Sequence, residues 1–393
     1  MDFSDQKTRE TETDEMVLPS TALPNDDSPL IPSDNRSLIS KNDHSRRGLG
    51  QILTTDSDFV RTGNLDQNFS HPDWKTAMKR AIRDSHTLRR ALGLDAVGTK
   101  VAGEKQFPTF VPLEYLSRIR PGDPNDPLLR QVLPVADEDQ ASPPGYAADP
   151  VGDLSAQVTP ALLHKYDGRA LLITTGACGV HCRYCFRRQF PYSDSQPHQL
   201  EASLNYLRSD PSIEEVLLSG GDPLTLTDER LFALLDQIEQ IDHIKRVRFH
   251  TRMPIVIPQR VTGRLVERLQ TSRLTVWFVI HANHARELDS HVLKHLAMLV
   301  DGGIPVLNQA VLLAGVNDDV QTLVKLCQTL VDHRMMPYYL HQLDRVHGAA
   351  HFEVPIERGR ELISELRKRL PGYAVPTYVI EEAGEFAKTV IPS

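Results

Sequence analysis

The chain has 393 residues, 40% of them hydrophobic and 24% charged, with a formal net charge of −8. This is an ordinary globular composition, long enough for roughly two to three domains or one large barrel. The negative balance excludes nucleic acid as an expected partner, and no run nears the roughly 18 apolar residues of a membrane span.

The N-terminus carries neither a basic n-region nor an apolar h-region, so no secretory signal is visible. Of the four cysteines, three sit too close together for a disulfide framework, and a cytoplasmic location is expected. Residues 1–50 are rich in Asp, Ser, Asn, Thr and Pro, a composition that cannot offset its ordering entropy, and are expected to be disordered. Residues 51–152 read as an N-terminal helical and wrapping region. Within it, Asp73 precedes Trp74, Met78, Ala81, Ile82, Leu88 and Leu92 at helical spacing, which predicts one or two helices ending near Gly93. From Lys105 to about Pro150, Pro, Gly and Asp interrupt short apolar runs such as 107–112, the pattern of a wrapping arm.

Residues 153–393 are periodic. Apolar runs at 170–175, 216–218, 247–249, 274–280, 306–313 and 338–340 alternate with helical patterns, for example at 228–241, 259–269, 288–300 and 318–335. Strands alternating with helices argue for an α/β fold with a parallel sheet and right-handed crossovers. Six such units are too few to close an eight-fold barrel, so an open, partial (βα)6 barrel is expected, with its site at the carboxyl ends of the strands. Polar clusters fall at those ends: the cysteine loop after the first strand, Ser219-Gly-Gly-Asp222 after the second, Thr251-Arg252 after the third and His281-Ala-Asn283 after the fourth. Cys327 lies in a helical pattern and reads as a small core residue.

Cys178, Cys182 and Cys185 form a C-x3-C-x2-C pattern flanked by Arg183, Arg187 and Arg188. A 4Fe–4S cluster normally takes four thiolates, so three leave one iron open to a small chelating ligand. A zinc site with His181 is the competing reading, although zinc ligands usually come as separated C-x2-C pairs. The spacing resembles the signature of the radical S-adenosylmethionine enzymes, in which that open iron binds S-adenosylmethionine and the cluster's electron cleaves it to a deoxyadenosyl radical. By this resemblance Ser219, Gly220, Gly221 and Asp222 are candidates for the methionine part, the two glycines admitting close backbone approach. Tyr184, His281 and Gln309 are assigned to the same cofactor, Tyr184 against the adenine.

Further runs, His164-Lys-Tyr-Asp-Gly-Arg169, Leu218-Ser-Gly-Gly-Asp-Pro-Leu224, Arg252 to Arg260, Asn308 to Leu313, Gly315 to Asp318 and Tyr338 to Asp344, together with a late Lys388, resemble the lysine 2,3-aminomutase family over residues 70–393. The branch most similar makes (R)-β-lysine for modification of translation elongation factor P. The resemblance implies pyridoxal phosphate joined to a lysine near the C-terminus, a place occupied here by Lys388, with the strand-like run 377–380 returning the tail to the barrel mouth. It puts Arg169 near the cofactor phosphate, Arg187 on the substrate carboxylate, and Asp344 and Glu381 on the substrate ε-ammonium, Glu381 standing where the family has aspartate. The implied reaction converts L-α-lysine to β-lysine, with an electron donor such as flavodoxin or ferredoxin, and links functionally to elongation factor P and its lysyl ligase. Two alternatives stay open: an aminomutase serving free β-lysine metabolism or another amino acid, and a non-catalytic metal-binding scaffold.

Overall fold

A computed structural model describes residues 72–94, 104, 107–192 and 197–393, all within one compact unit spanning Val60–Ser393. The expectation for residues 1–50 lies outside the described residues. Two short helices come first, α1 (Trp74–Arg80) and α2 (Ser85–Ala91), each opened by an aspartate. Asp73 accepts from the amides of Lys75 and Thr76, and Asp84 from Thr87, so both helix starts have partners for their first free N–H groups.

Single turns α3 (Leu113–Leu116) and α4 (Pro127–Arg130) punctuate the arm that follows. The arm is fastened at several points. Val111 pairs with Ile82, Arg118 donates to the carbonyl of Ile255 at 2.6 Å, and the amide of Arg183 donates to the Gln131 carbonyl at 2.8 Å.

The remainder is one sheet whose strands lie in chain order: β1 (Gln157–Thr159), β2 (Leu162–Tyr166), β3 (Arg169–Thr175), β4 (Glu215–Gly220), β5 (Arg246–Thr251), β6 (Thr275–Ile280), β7 (Val306–Val311), β8 (Met336–His341), β9 (Thr377–Ile380) and β10 (Thr389–Val390). Strands β3 to β9 run parallel, while β1, β2 and β10 are antiparallel to their neighbours. The six expected strands are β3 to β8, and β9 extends the parallel run by one. Crossovers carry α5 (Pro197–Ser209), α6 (Asp228–Glu239), α7 (Met253–Val256) with α8 (Gly263–Gln270), α9 (Ser290–Asp301), α10 (Val320–Asp332) and α11 (Ile356–Arg369). Among the described residues no helix is long and apolar enough to cross a membrane.

Strand alternation divides the two faces of the sheet. Val216 and Leu218, Val247 and Phe249, Ala310 and Leu340 belong to the core under the helices. Their sequence neighbours Leu217 and Ser219, Arg248 and His250, Gln309 and Val311, Tyr339 and His341 line a central cavity instead. Helix α10 shows the matching helical period, burying Leu323, Leu326, Cys327 and Leu330. Cys327 is thus a core residue, as its spacing suggested.

Candidate active site

The cavity has a volume of about 670 Å³ and opens among the carboxyl ends of the strands. All three clustered thiols line it. His181 lines it too, but its Nδ1 lies 2.7 Å from the Pro108 carbonyl and its ring stacks on Phe107 at 5.0 Å, so its ring is held by the arm. Among the described residues no three His, Cys, Asp or Glu side chains converge as one metal ion requires. A 4Fe–4S cube asks for less convergence, since each thiolate takes a different iron. Burial pushes the Cys185 thiol up to about 11 and the Cys178 thiol well above its usual range, and cluster iron is a cation that would favour their thiolate forms. The residues therefore fit the cluster.

The second loop packs directly on the first. A Cβ on Gly221 would lie 2.2 Å from the Ala177 carbonyl oxygen, and one on Gly220, whose φ is +114°, would lie 2.6 Å from the Thr175 oxygen. The close approach these glycines permit is to the cysteine loop's own backbone. The Gly221 amide donates to Thr175 at 2.7 Å and the Asp222 amide to Ala177 at 2.8 Å, so both are already engaged. The Asp222 carboxylate is engaged as well, accepting from Thr251 Oγ1 at 2.7 Å and from the amides of Leu224, Arg252 and Met253. It acts as a tie between the loops after β4 and β5, and Ser219 Oγ accepts from Arg187 at 3.2 Å.

Arg252 sits behind the thiols. It donates to Cys182 Sγ and Tyr184 Oη, each at 2.7 Å, to Gln131 at 2.6 Å and to Glu287 at 2.7 Å. Tyr184 also accepts from Asn283 at 2.7 Å, which fixes its ring on the cavity wall. Several buried polar atoms on cavity residues have no partner: the Nε2 atoms of His250, His281 and His341, Gln309 Oε1 and Asp344 Oδ1. Burial depresses His281 to about 4 and holds His250 and His341 well below their usual range, so the imidazoles are neutral. Unpartnered groups around a large cavity are the mark of a ligand site, because each costs free energy until something binds.

On the β2 and β9 side the charges alternate. Arg187 Nε donates to Asp153 at 2.6 Å, Lys165 bridges Asp153 at 2.6 Å and Glu381 at 3.1 Å, and Glu381 also contacts Lys388. Arg169 lines the same wall with its guanidinium over the Tyr166 ring at 4.6 Å. Burial and then the neighbouring Glu381 push the Asp344 carboxyl up to about 7. Every candidate site residue read from the sequence lines this one cavity. Sequence reasoning missed Asp153, Lys165, Tyr166, His250, His341 and the bracing role of Arg252. The inward alternation of β5 and β8 was the signal available for the two histidines.

Residues 172–327 match the model of the Radical SAM superfamily. The chain is 45% identical over 325 residues to the L-lysine 2,3-aminomutase of Escherichia coli (strain K12), covering 81% of this chain and 94% of that one. It is 39% identical to the enzyme of that name from Haemophilus influenzae, with 81% and 95% covered, and 36% identical to that of Clostridium subterminale, with 81% and 77% covered. Identity of this extent, with the cysteine loop, glycine turn and charged wall gathered in one cavity, shows that the chain belongs to the lysine 2,3-aminomutase family of radical S-adenosylmethionine isomerases.

Proposed function

We propose that the protein isomerises L-α-lysine to (R)-β-lysine, using pyridoxal phosphate held on Lys388 beside the cluster and S-adenosylmethionine. The observation that carries this is the shared cavity. A buried guanidinium at Arg187, a buried and unpartnered carboxylate oxygen at Asp344, the three thiols and Lys388 all face one enclosed space.

The cluster and S-adenosylmethionine supply a hydrogen-abstracting radical, and pyridoxal phosphate supplies a π system across which nitrogen migrates. The chain's own residues bind, orient and exclude water. Arg187 presents a guanidinium suited to an α-carboxylate, with Asp153 and Ser219 fixing its plane. Asp344 presents an oxygen to the distal ammonium in a dry setting where an unpaired charge would be costly. Lys165, Arg169 and Lys388 add cationic character to the wall that would receive a phosphate. His250, His281 and His341, being neutral, offer hydrogen bonds without repelling a cationic substrate.

The destination of the product is elongation factor P. The resemblance to that branch supports it. A cytoplasmic flavodoxin or ferredoxin would furnish the electron. Reduced, reconstituted enzyme is assayed against a panel of amino acids with chiral analysis of products, and elongation factor P is weighed by mass spectrometry in cells lacking the gene. Conversion confined to another amino acid would overturn the substrate. An unchanged mass of the factor would overturn the destination and leave the reaction standing.

A further inference from the structure

The β9–β10 hairpin sets residue 388 opposite residue 381. Thr389 pairs with Ile380 and Val390 with Val379, and the same antiparallel register continues to Lys388 and Glu381. Their seven-residue separation is therefore a hairpin distance. Glu381 Oε2 contacts Lys388 Nζ, while its Oε1 accepts from Lys165 Nζ and from Tyr166 Oη, each at 3.1 Å. Burial opposes its ionisation, but Lys388 and Lys165 hold the carboxyl down at about 2. An ammonium arriving from the cavity would have to displace a cation that Glu381 already holds. Asp344 differs, with a buried Oδ1 that has no partner.

We propose that Glu381 is the positioning residue for Lys388, the anion that aims its amine into the cavity, and that Asp344 alone receives the distal ammonium of the substrate. This rests on Lys388 being the cofactor lysine, as proposed above. Residues 382–387 are all exposed, so the segment carrying Lys388 has little packing of its own to hold it over the cavity. The Glu381 contact supplies that hold. Without it, Lys388 would lose the one carboxylate it contacts and face Lys165 and Arg187, both already sharing Asp153, with Asp344 left as the anion reserved for the substrate, so the amine would no longer be held in place. The glutamate replacing the family aspartate then shapes cofactor loading, and the substrate's far end is read by one carboxylate.

The test uses full-length, cluster-reconstituted parent, Glu381→Gln, Glu381→Asp and Asp344→Asn. Pyridoxal phosphate affinity is read by absorbance, with borohydride reduction and peptide mapping of the labelled lysine. KM for lysine is read on cofactor-saturated enzyme. Glu381→Gln is expected to weaken cofactor loading about tenfold or more, the scale of losing one partner of a desolvated pair, while KM for lysine stays within about twofold. Asp344→Asn is expected to do the reverse. Normal loading with a raised KM in Glu381→Gln would overturn the proposal. Should Glu381→Gln fail to fold, Glu381→Asp decides on the same two readings, reduced loading at unchanged KM supporting the proposal and normal loading with a raised KM overturning it. Labelling of another lysine in the parent would overturn the cofactor seat itself, a result the peptide map gives independently of KM.

Discussion

Arg252 and Glu287 form a fully desolvated ion pair, 2.7 Å between Nη2 and Oε2, directly behind the cysteine loop. Glu287 also accepts from Gln131 and from the amides of Asn283 and His284, so three segments of chain meet at one carboxylate. Arg252→Gln is expected to lower unfolding free energy by about 3–5 kcal/mol, because it leaves Glu287 buried without its counter-ion. Urea denaturation of parent and variant measures it. A loss below about 1 kcal/mol would show the carboxylate finding other partners.

Alanine at Cys178, Cys182 or Cys185 is expected to abolish the cluster's visible absorption and bound iron. Alanine at Cys327 should retain both, since that side chain is packed in α10 away from the cavity. Iron analysis of reconstituted variants decides this. A full 4Fe–4S signal in Cys182→Ala would sink the three-thiolate assignment.

Gly221→Ala tests the contact between the first two loops. Its methyl would fall 2.2 Å from the Ala177 oxygen, which only a backbone shift can relieve, and that backbone leads straight into Cys178. Cluster assembly should drop severalfold while the far-UV circular dichroism is unchanged. Gly263→Ala, where nothing lies within 4 Å, is the matched control and should assemble the cluster normally.

The far end of the substrate pocket should titrate. Asp344 must be anionic to pair with an ammonium, and burial followed by Glu381 holds its carboxyl at about 7, with Lys388 and Lys165 pulling downward and Asp153 upward. Below that pH the group is neutral, so kcat/KM for lysine should fall about tenfold per unit as pH drops through and beneath 7. Asp344→Asn should remove this acid limb together with the preference for lysine, and a pH profile identical in parent and variant would contradict the assignment.

Arg187→Met is expected to cost about 3–5 kcal/mol in binding of the α-carboxylate, two to four decades in kcat/KM. The fold should survive, because Asp153 keeps Lys165 at 2.6 Å. Pyridoxal phosphate loading followed by absorbance should be normal in this variant, and a parental kcat/KM would place the carboxylate elsewhere.

The order of the six central strands, the capping Asp73, the core role of Cys327 and the three-thiol loop were all legible in the sequence. Each depends on residues within a few positions of one another, where helical or strand periodicity and ligand spacing act directly. The partners in the charged wall were not legible. Asp153, Lys165, Arg187, Glu381 and Lys388 come from the loop before β1, from β2, the cysteine loop, the end of β9 and the turn into β10, and only the curl of the sheet brings them into contact. The same holds for the glycines. Their freedom of backbone was readable, but whether a ligand or the chain's own carbonyl would occupy the space depended on how two successive loops stack. Local chemistry is written in neighbouring residues, whereas the pairing of charges over two hundred positions apart, as between Lys165 and Glu381, is decided by packing alone.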